Sequence, residues 1–329
     1  MSVNNITKSC RKYGLDFLKG ISACFVVFMH VRFPEPFGEY VASIGRFAVP
    51  VFFMTSGYFS LDATESRMLK SIKRTVSYLL VAYLLNVVRI FVETSFDMVA
   101  VSAFFKTEVL TLSHMIKFIV LSQSSISGVA WFLISLLVCY VLKYILGRKL
   151  RYLGYLGLLI GVIGVLPPVN NYVGLPINNP WINGIPFFII GELIADNKNW
   201  ICKRISNELL CFVSIIGFAL LIMACYFAKQ WWYIGTLLLS PSLFVLFSRM
   251  NMRFNQFCLL GSTYAFFIYI VHPLVMHTYD AIRPLPSKSE LWLRPVIVLS
   301  ATVFLAVIYY TGKTIVTKPL NKNDFNSVD

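Results

Sequence analysis

Apolar residues in this chain gather in long runs separated by short polar stretches, with no sustained two-residue alternation. A helix needs about 20 mostly apolar residues to cross a bilayer. Ten runs approach that length: 14–31, 46–62, 75–92, 129–147, 152–168, 180–196, 208–228, 232–248, 257–277 and 293–312. The second and sixth are the weakest, being short and interrupted by Gly or Pro. The pattern predicts an all-α polytopic integral membrane protein with about ten transmembrane helices, because a helix satisfies its own backbone polar groups in lipid. The expected division is an N-terminal segment 1–13, a membrane domain 14–312 and a tail 313–329. The first run contains Asp16 and Lys19 and lacks a small-residue cleavage site, so it reads as a retained span and not as a cleavable signal peptide.

Composition sharpens this picture. Of 329 residues, 57% are hydrophobic and only 13% are charged, about half the share in soluble domains. Mean hydropathy is +0.72. A soluble fold of this size has too little interior to hide so much apolar surface. Net charge is +14, which in a soluble chain would raise nucleic acid as a partner. Here the cations cluster between apolar runs, so the expected partner is the lipid bilayer. If the N-terminus is cytoplasmic, 20 Lys and Arg fall inside and 8 outside. That asymmetry predicts an even number of spans with both termini cytoplasmic. The seven cysteines form no CxxC pair and no metal-ligand spacing, and read as free thiols with no metal site.

Several connecting and packing segments carry local expectations. Residues 93–128, with SQSSISG at 122–128, are long enough to hold an interfacial or re-entrant helix. Residues 167–181, PPVNNYVGLPINNP followed by Trp181, form either a plain loop or a lid over a cavity. Gly154, Gly157, Gly161 and Gly164 fall on one helix face and predict close packing against a neighbour.

Ionisable residues inside a span are costly, which marks them as functional candidates. The run GLDFLKGISACFVVFMHV at 14–31 is the richest. Lys19 and His30 are 11 residues apart, three turns plus about 20°, so they share a face roughly 16 Å apart along the axis. Asp16 lies one turn from Lys19. Asp16 and Lys19 either line a cavity with His30 or pair with each other at the interface. His30 is the side chain best suited to take a proton from a hydroxyl near neutral pH. In RFAVPVFFMTSGYFS, residues 46–60, Thr55, Ser56 and Gly57 serve either a ligand or helix packing. The following RMLKSIKRTVS carries Arg67, Lys70, Lys73 and Arg74, a cluster that suits phosphates or simple interfacial anchoring. Trp131 opens the fourth run and fits either a sugar platform or the interfacial aromatic belt. Glu192, in the sixth run, is expected either to pair with a cavity cation or to lie at the interface. His272-Pro273 lies in the ninth run, where Pro frees a backbone carbonyl and places His272 at a bend beside a cavity.

Taken in order, these segments resemble the membrane-bound acyltransferase-3 family. The resemblance rests on Lys19…His30 preceded by Leu15-Asp16, FFMTSGYF at 52–59, the basic stretch at 67–74, WFL at 131–133, a Gly-containing sixth run and IYIVHP at 268–273. It spans nearly the whole chain. Lys19 stands where the family commonly has Arg, and lysine lacks arginine's bidentate fork. The resemblance implies an O-acyltransferase that moves an acyl group, commonly acetyl, from cytoplasmic acyl-CoA as co-substrate to a hydroxyl of a cell-surface glycan or glycolipid. It implies His30, Lys19 and Asp16 as the catalytic group. Ser56, Lys70, Lys73 and Arg74 would then hold CoA, and Trp131 and His272 the acceptor, in a multi-pass protein of the bacterial cytoplasmic membrane. The FFMTSGYF segment is also similar to the membrane portion of the vancomycin-resistance serine racemases, which implies a small-molecule transporter as the alternative.

Overall fold

The computed structural model describes residues 12–165, 178–226, 231–284 and 287–317, and among these all regular structure is helical. The chain opens with α1 (Tyr13–His30), followed by two short helices in series, α2 (Phe37–Gly45) and α3 (Ala48–Tyr58). Next come the 29-residue α4 (Glu65–Glu93), the small α5 (Met98–Phe104) and α6 (Leu112–Leu121). α7 (Ala130–Leu146) and α8 (Leu150–Val165) are joined through Gly147, whose φ of +54° suits a residue without a Cβ. A π-helical turn, Pro180–Gly184, leads into α9 (Ile185–Asp196), then α10 (Lys198–Arg204), α11 (Asn207–Tyr226) and α12 (Trp232–Arg249). α13 (Gln256–Leu259) and a π-helical turn, Leu260–Tyr264, precede α14 (Ala265–Ile282), and α15 (Lys288–Thr317) closes the described chain.

Among the described residues, six helical stretches are long and apolar enough to cross a membrane: Tyr13–His30, Glu65–Glu93, Ala130–Gly164, Asn207–Tyr226, Gln256–Ile282 and Lys288–Thr314. The third is the α7–α8 hairpin. The two weakest runs of the sequence, 46–62 and 180–196, hold α-helices of only 11 and 12 residues. The 93–128 stretch does contain helix, α5 and α6. Their apolar side chains stand outward, with Leu112 74% and Ile119 71% exposed.

α1 is the central helix. It packs against α2, α3, α12, both halves of the 256–282 stretch and α15, and buries Leu15, Leu18, Val26 and Val27. Peripheral helices do the reverse: Leu80 and Leu84 on α4, Ile215 on α11 and Phe304 on α15 are each more than 60% exposed. An apolar rim around a packed interior is what a bilayer solvates, and a water-soluble monomer rarely shows so large an apolar surface.

Small residues set the closest crossings. α3 and α9 meet backbone to backbone: a Cβ at Gly57 would overlap the Phe188 carbonyl, and one at Gly191 the Met54 carbonyl. The Gly of FFMTSGYF therefore sets an interhelical distance. The α8 glycines pack as the sequence predicts at three positions, with Gly154 against Ile189, Gly157 against Trp181 and Gly161 against Tyr233. The Pro/Asn-rich segment read as a loop or lid falls mostly on residues 166–177, outside the described residues.

Buried charge ties the α7–α8 hairpin to α9. Glu192 is fully buried, pairs with Lys143 of α7, and lies 3.9 Å from Nε of Arg151 on α8, which in turn holds Asp196 at 2.8 Å. Of the two placements the sequence leaves open for Glu192, the structure realises the pairing with an interior cation, Lys143, and not the interface. Glu192 is a buried joint between three helices.

Candidate functional site

Chain direction and the distribution of cations distinguish the two ends of the bundle. One end carries the start of α1, the start of α4 and the end of α12, and is rich in cations. The other carries His30.

At the cationic end, a cavity of about 320 Å³ lies between α1, α3, α4 and α7. It is lined by Lys19 of α1, Thr55, Ser56 and Ser60 of α3 and the following turn, Tyr140 of α7, and Arg67, Lys70, Ser71 and Arg74 of α4. The α4 residues follow helix geometry. Positions 67, 70, 71 and 74 have the i, i+3, i+4, i+7 spacing that puts them on one stripe. Lys73 lies roughly 100° from that stripe and is exposed elsewhere. Of the cations expected to act together, Lys70 and Arg74 line the cavity, Lys73 does not, and Arg67 joins them.

Lys19 does not face the cavity as a free charge. Its Nζ lies 3.0 Å from Asp16 Oδ1, and both side chains are more than four-fifths buried. Asp16 lines a second, wider basin of about 1200 Å³ beside the first, whose cations are Lys12, Lys198, Arg249 and Arg253. The pair the sequence allowed at an interface is therefore formed, and it divides two cavities. Lys12 closes the same corner from outside the spans: its Nζ donates to the Tyr58 hydroxyl at 2.7 Å. Burial pushes its amine below the ordinary lysine range.

At the other end of α1, His30 lies ring to ring with His272 of α14, the centroids 5.2 Å apart. His30 is open to the surface, at the last residue of its helix. His272 is fully buried, with the rings of His30 and Tyr269 packed beside it. Its Nδ1 lies 3.0 Å from the Ile268 carbonyl. A carbonyl only accepts, so Nδ1 carries the proton and Nε2 offers a lone pair. No hydrogen-bond partner meets that Nε2 among the described residues. Pro273 contributes locally, because its missing N–H leaves the Tyr269 carbonyl without a helical donor. Tyr269 braces the pair by donating its hydroxyl to the Val129 carbonyl at the start of α7.

Trp131 is half-buried and packs on Phe53, with centroids 6.4 Å apart. The structure thus gathers Lys19, Ser56, Lys70 and Arg74 at one cavity, with Asp16 on its border, and His30 with His272 at the opposite end of α1. Arg67 is a residue the sequence reading passed over individually. Its signal was present, since extending the Lys70–Arg74 spacing one turn toward the N-terminus reaches it.

Against known proteins, the acyltransferase-3 model, described as an acyltransferase domain, matches residues 12–311. No curated protein and no solved structure matches the chain.

Proposed function

The chain belongs to the acyltransferase-3 family, and from that premise we propose that it is a membrane O-acyltransferase. In this reading it moves an acyl group, acetyl in the simplest case, from cytoplasmic acyl-CoA to a hydroxyl of an extracytoplasmic glycan or glycolipid. The supporting observation is the layout of α1. Lys19 borders a cavity rimmed by Arg67, Lys70 and Arg74, and about 16 Å further along the same helix His30 meets His272. The proposed topology has ten crossings and both termini cytoplasmic, with α2–α3 and the Pro180–Asp196 stretch counted as two of them. The cationic end then faces the cytosol, where acyl-CoA is found, and His30 faces the acceptor.

The chemistry follows from side-chain character. Guanidinium and ammonium groups on the α4 stripe hold the phosphates of CoA. Ser56 and Tyr140 border the path of the acyl-pantetheine arm. His30 takes the proton of the acceptor hydroxyl, whose oxygen attacks the thioester carbonyl. The C–S bond breaks, and the proton passes to the departing thiolate. A relay through an acyl-imidazole on His30 obeys the same balance, with the hydroxyl attacking in a second step; acid quenching and mass spectrometry of the His30 peptide separate the two routes. His272, packed ring to ring against His30, positions that imidazole. Asp16 fixes Lys19 at the cavity wall.

The test is transfer itself. Purified chain receives labelled acetyl-CoA and cell-envelope glycan, with His30→Ala alongside. Label on the glycan with the parent chain only is the expected result. Serine uptake into vesicles without consumption of acetyl-CoA would overturn it in favour of a transporter.

A further inference from the structure

A second polar site lies beside the His30 end of α1. Arg46 sits between α2 and α3, half-buried, with its guanidinium stacked 4.3 Å from the centre of the Trp232 ring. Arg32, two residues beyond His30, lines the same recess of about 80 Å³. Its other lining residues are Glu39, Ala42, Ser43, Ala224, Cys225 and Trp232.

Two features leave the Arg46 guanidinium available to an anion. First, Arg32 acts electrostatically on Arg46, and the Arg46 guanidinium makes no hydrogen bond or ion pair among the described residues. Second, the neighbouring polar atoms are committed or turned elsewhere. Ser43 donates to the Leu221 carbonyl at 2.6 Å, and the Cys225 thiol points to the carbonyls of Leu221 and Glu39. Arg32 has one weak partner, Glu35 at 3.8 Å, with both side chains more than half exposed. The Glu39 carboxylate lines the recess but forms no ion pair with either guanidinium, so the Arg46 guanidinium has no carboxylate partner among the described residues. Two guanidiniums lining one small recess repel each other, and an anion bound there relieves that repulsion. Stacking on Trp232 holds Arg46 with its planar fork directed, which suits two-point contact to a carboxylate or phosphate. The recess is small, about 80 Å³, a size that suits a single carboxylate or phosphate group.

We propose that Arg32 and Arg46, with Trp232 as a backing platform, form a binding site for a single carboxylate or phosphate group. Arg32 places the site two residues along the chain from His30. A charge on the acyl acceptor, once seated there, presents a neighbouring hydroxyl to that ring. This last assignment rests on the acyltransferase reading, whereas the anion site does not. An outer-leaflet phospholipid headgroup offers the same chemistry.

The experiment uses the full chain in nanodiscs of neutral phosphatidylcholine. Methyl glucuronide, methyl glucoside and inorganic phosphate are titrated separately while tryptophan emission is followed, and the Trp232→Phe variant isolates the signal of that ring. Saturable changes are expected with glucuronide and phosphate, weakened at least tenfold in Arg46→Gln and by added salt, and absent with glucoside. Arg46→Lys, which keeps the charge but loses the fork, falls between the parent and Arg46→Gln. No saturable change in the parent chain, or an affinity in Arg46→Gln and Arg32→Gln equal to the parent's, overturns the site. Repeating the titration in phosphatidylglycerol discs separates the sources: a response that persists assigns the site to the acceptor, and one that disappears assigns it to the headgroup and overturns the acceptor role. Acyl transfer is measured in parallel. Its absence in the parent chain, with anion binding intact, refutes the enzyme and leaves the site standing.

Discussion

The α4 stripe makes a prediction that position alone decides. Arg67, Lys70, Lys73 and Arg74 are chemically near-equivalent cations within eight residues of sequence. Three line the cavity, and the fourth is turned about 100° away by the helical repeat. Replacing Arg67, Lys70 and Arg74 together by Gln removes the proposed phosphate contacts. All three are exposed at the rim, so each is worth about 1 kcal/mol, the upper end for solvent-exposed ion pairs. The sum, about 3 kcal/mol, corresponds to acyl-CoA binding roughly 150-fold weaker. Lys73→Gln removes the same charge from the wrong side and is expected to change affinity by less than about threefold, since longer-range attraction is screened by salt. Calorimetric titration of acetyl-CoA into purified protein measures both. The reasoning fails if Lys73→Gln weakens binding as much as the single change Lys70→Gln, because nonspecific attraction to a basic surface would then explain the affinity. It also fails if the triple variant binds like the parent.

Other consequences follow from the same geometry. Glu192→Leu leaves Lys143 buried without its counter-charge and is expected to cost about 3–5 kcal/mol of stability; adding Lys143→Met recovers part of that loss, read by thermal unfolding in detergent. Gly57→Leu drives a side chain into the backbone of Phe188, with a loss of about 1–3 kcal/mol, and an unchanged unfolding temperature would refute the close α3–α9 crossing. His30→Ala removes the proposed base and lowers kcat by about 10²–10⁴-fold. His272→Gln acts through His30, so it lowers kcat and shifts the pH profile while KM for acyl-CoA holds; a change in KM alone would contradict a positioning role.

Much of this arrangement is legible in the sequence, for physical reasons. The Lys19–His30 face follows from the helical repeat, and an uninterrupted helix from Tyr13 to His30 carries it. The α8 glycine stripe could be read as packing because small residues at that spacing have few other uses in apolar helices. Three features needed coordinates. Lys73 was grouped with Lys70 and Arg74 because a charge cluster was read by composition, whereas the helix sorts it by angle. Pro273 marks a bend at His272, but nothing local in the sequence shows that His30 and Tyr269 are the rings packed against it. Nothing local in the sequence shows that α2, α11 and Trp232 bring Arg32 and Arg46 to one recess. The number of helical stretches long and apolar enough to cross a membrane is six among the described residues, because α3 and α9 are short, the hairpin through Gly147 counts as one stretch, and α12, with Thr236, Ser240, Pro241 and Ser242, is not among the six.

Sidedness tests the central claim most directly. Sealed proteoliposomes of known protein orientation are loaded so that labelled acetyl-CoA contacts only the cationic end and the glycan acceptor only the His30 end. Acylated glycan is expected to accumulate on the acceptor side, free CoA on the donor side, and neither in His30→Ala. Transfer that requires donor and acceptor on the same face, or that proceeds unchanged without the imidazole at position 30, would contradict a thioester and an alcohol meeting along α1.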